Sequence, residues 1–194
     1  MIGISLNSAA IEADLKKLIK VAKDMGASKE FQRAAKKATD KARTETTKAL
    51  KSEYTLPPNI IRGTLTSRFA GDGAEMQIKS GVHPLIDFKG TKPNTKTKPV
   101  FAKVKKNEGE YLPSAFKAEM PNKNKEGNET AGHTGIFQRK GKARLPIKEK
   151  FGPSTVGMFH ANPHIHEPII EKAMETLTTE FWRQVDLTHG KTKG

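Results

Sequence analysis

Apolar residues recur at helical spacing towards both ends of the chain. The first such stretch predicts an amphipathic helix over 11–25 that Gly26 ends. A second helix is predicted over 29–54, and its face of small residues suits a sheet or a neighbouring subunit's helix, although packing within one chain is commoner. Pro163 and Pro168 bracket the entry to a last predicted helix. Its apolar ridge repeats every four residues: Ile165, Ile169, Ala173, Leu177, Phe181 and Val185.

The middle of the chain changes to the two-residue period of strands. Alternating apolar and polar residues predict strands over 74–79, 100–104 and 111–120. The clearest pattern lies at 134–148, where two strand-like stretches flank the basic tip Arg139-Lys140-Gly141-Lys142 and predict a β-hairpin. Pro146 lacks an N–H group, so its strand should lie at a sheet edge. Phe151-Gly152-Pro153-Ser154 is expected to end the ribbon, and Ser154 to cap a following helix.

These elements predict an α+β fold in which the N- and C-terminal helices pack on a central antiparallel sheet with a long basic loop. The 194 residues suit one domain, 1–194. Within it we assign three regions: a helical N-terminal region at 1–56, a β-rich middle at 57–150 that includes a basic loop at 89–99 and the hairpin at 134–148, and a C-terminal helix with a frayed tail at 151–194. No cysteine is present, so the fold must depend on packing without disulfides or thiolate sites.

The charge balance is strongly basic, with 35 lysines and arginines against 21 aspartates and glutamates, a formal net charge of +14. Residues 89–106 contain seven lysines and no acid. We expect an extended, mobile loop over 91–98, followed by a strand that displays Lys103 and Lys105 on one face. Such charge favours phosphates or acidic protein surfaces. The candidate contact residues are Lys96, Lys98, Lys103, Lys105, Lys106, Arg139, Lys140, Lys142 and Arg144.

The basic clusters lack the series of interleaved aromatic residues that is typical of a base-stacking platform. A base-stacking platform therefore has no signature here, and recognition of single strands or of base sequence is not expected. Contacts with a phosphate backbone would be salt-sensitive and independent of sequence.

Catalytic and metal-binding patterns are weak. Three histidines precede or begin the last helix: His160, His164 and His166. Asn162-Pro163 breaks the helix that would align the first two, and no HExxH motif accompanies them. The serines lack a GxSxG turn, and the glycine-containing stretches 71–73 and 132–135 lack the lysine of a phosphate loop. We predict a protein that is not an enzyme and has no cofactor or metal.

Targeting and membrane signals are also weak. The N-terminal stretch lacks a basic leader followed by an uninterrupted apolar core, and no window approaches the roughly 18 apolar residues of a membrane span. We therefore expect synthesis and use in the cytoplasm without a membrane segment.

Four short stretches between Pro113 and Ser154 carry a family resemblance: Pro113-Ser114-Ala115-Phe116, Gly135-Ile136-Phe137-Gln138-Arg139, Leu145-Pro146-Ile147 and Phe151-Gly152-Pro153-Ser154. Together they resemble the minor tail protein Z family of long-tailed bacteriophages, whose order of parts the rest of the chain follows. Besides Arg139, the matching positions are expected to be structural: Gly135, Leu145, Pro146, Ile147, Gly152 and Pro153.

The resemblance implies a structural virion protein, a minor tail or tail completion component at the head-proximal end of the tail. It would assist tail maturation, head–tail joining and genome entry. The implied partners are tail tube, terminator or connector proteins and the end of the genomic DNA, and a homo-oligomeric ring on assembly is compatible with that place. The implied location is the host cytoplasm during assembly and then the virion tail. The alternative is a duplex nucleic-acid-binding protein without sequence specificity.

Overall fold

A computed structural model describes residues 9–70, 73–123, 129–141, 143 and 145–189, and these residues form an α+β fold, as predicted. The α-helices are α1 (Ala9–Asp24), α2 (Ser28–Glu53), α3 (Pro58–Gly63), α4 (Thr155–His160) and α5 (His166–His189). The strands are β1 (Leu65–Ala70), β2 (Gly73–Ile78), β3 (Val82–Pro84), β4 (Val100–Ala102), β5 (Glu110–Leu112), β6 (Ala115–Lys123), β7 (Glu129–Arg139), β8 (Ile147–Glu149) and β9 (Phe151–Ser154). Short 3-10 turns lie at Leu85–Asp87 and Pro163–Ile165.

The chain divides into two compact units. Unit 1 comprises Met1–Thr46, Leu65–Gln77 and Pro163–Gly194, and unit 2 comprises Thr47–Thr64 and Ile78–Asn162. Most of α2 therefore belongs to unit 1 and its last turns to unit 2.

The core of unit 1 is helical. The small face of α2 is buried among residues of α1 and α5, with Ala34 wholly inaccessible. The ring of Phe31 meets that of Phe181 edge to face, with centroids 6.1 Å apart. The expected packing within the chain is thus present, but the main partners of α2 here are helices rather than a central sheet. Alanine side chains allow this, because they let helix backbones approach closely.

Ion pairs join α2 to α5 at the edge of this core. Lys37 Nζ lies 2.8 Å from Glu180 Oε2, and Lys172 Nζ lies 3.0 Å from Glu45 Oε2. Hydrogen bonds from Lys37 and then Arg183 lower the pKa of the Glu180 carboxyl. At the other end of the core, Gly26 adopts a φ of +64° and ends α1, as its position in the sequence predicts.

The predicted central sheet is replaced by four small sheets in the described residues. The strand orders are β1-β2, β3-β9, β4-β5 and β6-β7-β8, and the last three sheets are antiparallel. Pro84 is the last residue of β3, Pro99 directly precedes β4, and Pro113 lies between β5 and β6. Because proline has no N–H group to donate, it limits the length of a ladder.

The hairpin predicted at 134–148 forms with a longer connection than expected. β7 pairs with β8 in the register Phe137↔Glu149, Gln138↔Lys148 and Arg139↔Ile147, so the second strand begins at Ile147 rather than Ala143. β8 is an edge strand, as the proline before it suggests. The strand predicted over 111–120 is divided into β5 and β6 by a turn in which Ser114 has a φ of +61°.

The stretch Phe151–Ser154 does not simply end the ribbon, because it forms β9 and pairs with β3. Lys150 makes the crossing: its N–H donates to Ile136 O at 2.8 Å, and its carbonyl accepts from Leu85 N at 3.0 Å. The predicted cap is present, since Ser154 Oγ accepts from Gly157 N at 3.0 Å at the start of α4.

Candidate functional site

Two glycines of the 113–154 segment lie where an added Cβ atom would press on a neighbouring side chain. Gly135 is buried in β7, and a Cβ atom there would stand 2.6 Å from Glu149 Oε1. That carboxylate pairs with His133 Nε2 at 2.6 Å. Gly152 in β9 is covered by the ring of Phe88, which is fully buried, and a Cβ atom would overlap this ring. The geometry gives both glycines a packing role.

The described residues of the connection between β7 and β8 are exposed, and they include both a basic and an apolar side chain. The guanidinium carbon of Arg139 lies 5.2 Å from the centre of the Phe116 ring, a cation–π contact that directs the arginine along the sheet. Lys140 is exposed, and its N–H donates to Pro146 O at 3.1 Å. Leu145 is 66% exposed. Lys142 and Arg144 lie outside the described residues.

The basic loop at 89–99 is folded back on the chain rather than extended away from it. Lys92 and Phe101 exchange two backbone hydrogen bonds of 2.8 and 3.0 Å, and Thr95 N donates to Lys98 O at 2.9 Å. Asn94 Oδ1 accepts from Lys117 N of β6 at 3.0 Å. Lys96 and Lys98 remain exposed. The prediction of a projecting loop overlooked these anchors, because their partners lie up to 23 residues away in the sequence.

Lys103, Lys105 and Lys106 do not share one continuous strand face. β4 ends at Ala102, and the following backbone pairs with the end of α2 instead: Thr55 N donates to Val104 O and Lys106 N to Glu53 O. Lys103 is half-buried, whereas Lys105 is exposed and lies 3.4 Å from Glu108 Oε1. The expected display on one side of a strand is therefore wrong, since this chain segment leaves the β4 ladder after Ala102.

Positive charge is concentrated in one of the two units. Unit 2 holds 20 lysines and arginines against eight aspartates and glutamates, a formal charge of +12. Unit 1 holds 15 against 13, a formal charge of +2. The basic character of the protein is thus almost wholly a property of unit 2, which also contains the 113–154 segment.

Sequence reasoning missed an aromatic pair on the β4–β5 ribbon. Phe101 and Tyr111 are direct cross-strand partners, with ring centroids 5.0 Å apart and an angle of 55° between the rings. Tyr111 is 58% exposed. The two residues are ten positions apart, so only the strand pairing brings them together beside the basic loop. The sequence signal for this pair was the alternation Val100-Phe101-Ala102, in which Val100 and Ala102 are buried and Phe101 points the other way.

The titratable groups include a buried histidine that the sequence did not single out. His83 is 8% exposed, and its Nε2 lies 2.9 Å from Thr155 Oγ1. Burial lowers the pKa of His83, and the nearby Asp87 carboxylate opposes that shift. The three histidines considered as metal ligands lie at the end of α4 (His160), in the following turn (His164) and at the start of α5 (His166). Within the described residues, no group of three or more histidines, aspartates or glutamates is arranged to hold a metal ion.

Comparisons with known proteins give no relative. No protein-family model matches the chain, and no curated protein or solved structure matches it significantly. Among the helices of the described residues, none is both long enough and apolar enough to cross a membrane.

Proposed function

We propose that the protein is a structural component of a phage virion, a minor tail or tail completion protein at the head-proximal end of the tail. In this role it binds neighbouring tail tube, terminator or connector subunits during assembly in the host cytoplasm and stays in the finished tail. It assists tail maturation, head–tail joining and genome entry by binding and not by catalysis.

The observation that carries the proposal is how the 113–154 segment is built. Gly135 and Gly152 serve close packing against Glu149 and Phe88, so these matched positions support the framework rather than chemistry. The same framework presents Lys140 and Leu145 at an exposed connection. A basic and apolar loop held by a packed scaffold is suited to contact with another protein.

The direct test is genetic. The reading frame is deleted from the genome that encodes it, particle formation is induced, and the lysate is examined by electron microscopy beside an infectivity count. Loss of infectivity with tails present, either unjoined or joined to heads that fail to deliver DNA, supports the proposal. Normal infectious particles reject it.

Complementation then tests the tip itself. Lys140→Glu and Leu145→Asp place acid on the exposed connection and should reduce rescue of infectivity, while Lys79→Glu makes the same charge change at another exposed lysine of unit 2 and should rescue fully. Equal rescue by all three variants would remove the tip from the contact surface.

A second candidate function is favoured by the charge of unit 2. A formal charge of +12 on this unit suits duplex nucleic acid bound through its phosphates without sequence specificity. Titration of a duplex oligonucleotide against salt separates the two candidates: a stoichiometric complex that persists at moderate salt supports this function, and binding that vanishes there rejects it.

A further inference from the structure

We infer that the β4–β5 ribbon is a stacking site for the bases of single-stranded nucleic acid, with Phe101 and Tyr111 as the platform and lysines of the adjacent loop on the phosphates. This inference does not rest on the proposed tail function. It also differs from duplex binding, because bases within a duplex offer no free face to an aromatic ring.

The two sides of the ribbon have opposite character. Val100 and Ala102 of β4 are 0% and 6% exposed and point into unit 2. Phe101 lies between them and therefore projects from the other face. Tyr111 is its cross-strand partner and shares that face. An aromatic pair on the outer face of a ribbon whose inner face is aliphatic is not needed for the core.

Lys92, on a third chain segment, lies in the same cross-strand row as Phe101 and Tyr111. Lys92 forms an antiparallel bridge with Phe101, so its side chain leaves the same face as the two rings. Lys92 is exposed, and so are Lys96 and Lys98 a few residues further along the loop. In this row Lys92 is next to Phe101, and Tyr111 lies on the other side of Phe101. A lysine at the end of an aromatic row combines base stacking with phosphate contact, as in sites that bind a single strand.

A glycine keeps the Phe101 ring in place. A Cβ atom at Gly109 would overlap the end of this ring, so the phenylalanine lies across the backbone of the β5 side. The end of the Phe101 ring therefore packs on the main chain of Gly109, and the exposed Tyr111 offers the freer ring face to a ligand.

The nearby acids do not cancel the attraction. Glu108 is engaged by Lys105 Nζ at 3.4 Å. Glu110 pairs with Ala102, so strand alternation directs it away from the face of Phe101 and Tyr111. The formal charge of +12 on unit 2 argues for a polyanion as the occupant rather than an uncharged or basic polypeptide.

The test measures fluorescence anisotropy of three labelled probes of about 20 units each with the purified full chain. The probes are oligothymidine, an abasic deoxyribose-phosphate oligomer of equal charge, and a duplex. We expect oligothymidine to bind about 5- to 100-fold more tightly than the abasic oligomer, since only the former can stack. Equal binding of the two would overturn the inference, and so would tighter binding of the duplex than of oligothymidine.

Substitutions locate the platform. Tyr111→Leu keeps an apolar side chain but loses the aromatic face, and should remove most of the preference for oligothymidine, whereas Tyr111→Phe should retain it. Phe151→Leu removes another exposed aromatic ring of unit 2, 49% accessible, and should bind like the unchanged protein. Circular dichroism checks that each variant is folded. If Tyr111→Leu kept the full preference for oligothymidine, the inference would be wrong.

The role of Lys92 has its own readout. Lys92→Gln should weaken oligothymidine and the abasic oligomer alike, and should lower the slope of log K against log salt by about 0.7, the value for one phosphate contact on a single strand. A slope equal to that of the unchanged protein would remove Lys92 from the site.

Discussion

At the scale of the residue, the clearest constraint is the contact between Gly152 and Phe88. The ring fills the space that a side chain at 152 would occupy. We expect Gly152→Ala to lower the free energy of unfolding by about 1–3 kcal/mol, the usual cost of overpacking. Gly81→Ala is the matched control, because nothing lies within 4 Å of its added Cβ, and it should change stability by less than about 0.5 kcal/mol. Urea unfolding of both variants gives the comparison, and equal midpoints would contradict it.

His83 makes stability depend on pH. Burial lowers its folded pKa below that of the unfolded chain, so between the two values the unfolded state binds more protons. The contribution is fully present above the unfolded pKa near 6.5 and is lost as pH falls from there through the lowered folded value. Between neutral pH and mild acid, the free energy of unfolding should fall less in His83→Gln than in the unchanged protein. Denaturant unfolding at the two pH values measures this difference. His160→Gln, at an exposed histidine, should keep the loss of the unchanged protein.

At the scale of the element, neighbouring positions of α5 differ in how much they contribute to the stability of the fold. Phe181 is fully buried against Phe31, whereas the adjacent Trp182 is 43% exposed. Phe181→Ala should cost about 3–5 kcal/mol, as for other buried aromatic residues, and Trp182→Ala less than half as much. Thermal or denaturant unfolding measures both. A larger loss for Trp182→Ala would mean that the helix faces the other way.

Helices were more predictable than sheets for a physical reason. The four-residue ridge of α5 and the Gly26 stop are local signals, and the observed ends lie close to those predicted. Strand partners are set by distant residues. The pairing of β9 with β3, for example, joins Ser154 to Val82, and no local pattern near Phe151 announces it. The local pattern therefore predicts only the end of a ribbon, whereas the stretch forms a strand.

At the scale of the whole molecule, the distribution of charge leads to a test on duplex DNA. Replacing Lys96 and Lys98 by glutamine removes two charges from unit 2, and replacing Lys16 and Lys20 removes two from unit 1. The first double variant should lower the salt slope of duplex binding by up to about two, and the second should leave it unchanged. Equal effects would show that binding follows net charge alone, without a preferred surface.

The sequence by itself determined the α+β class, the helix positions, the excess of positive charge and the prolines that limit strand length, because each depends on composition or on neighbours within one or two turns. It also singled out the four stretches within 113–154, but it did not explain why positions 135 and 152 are glycine. Tertiary structure decided which strands pair, which unit holds the charge, how the lysine loop folds back, and that Phe101, Tyr111 and Lys92 lie in one row. These properties arise from contacts between residues far apart in the chain, and such contacts exist only once the backbone hydrogen bonds and the buried side chains have been satisfied together.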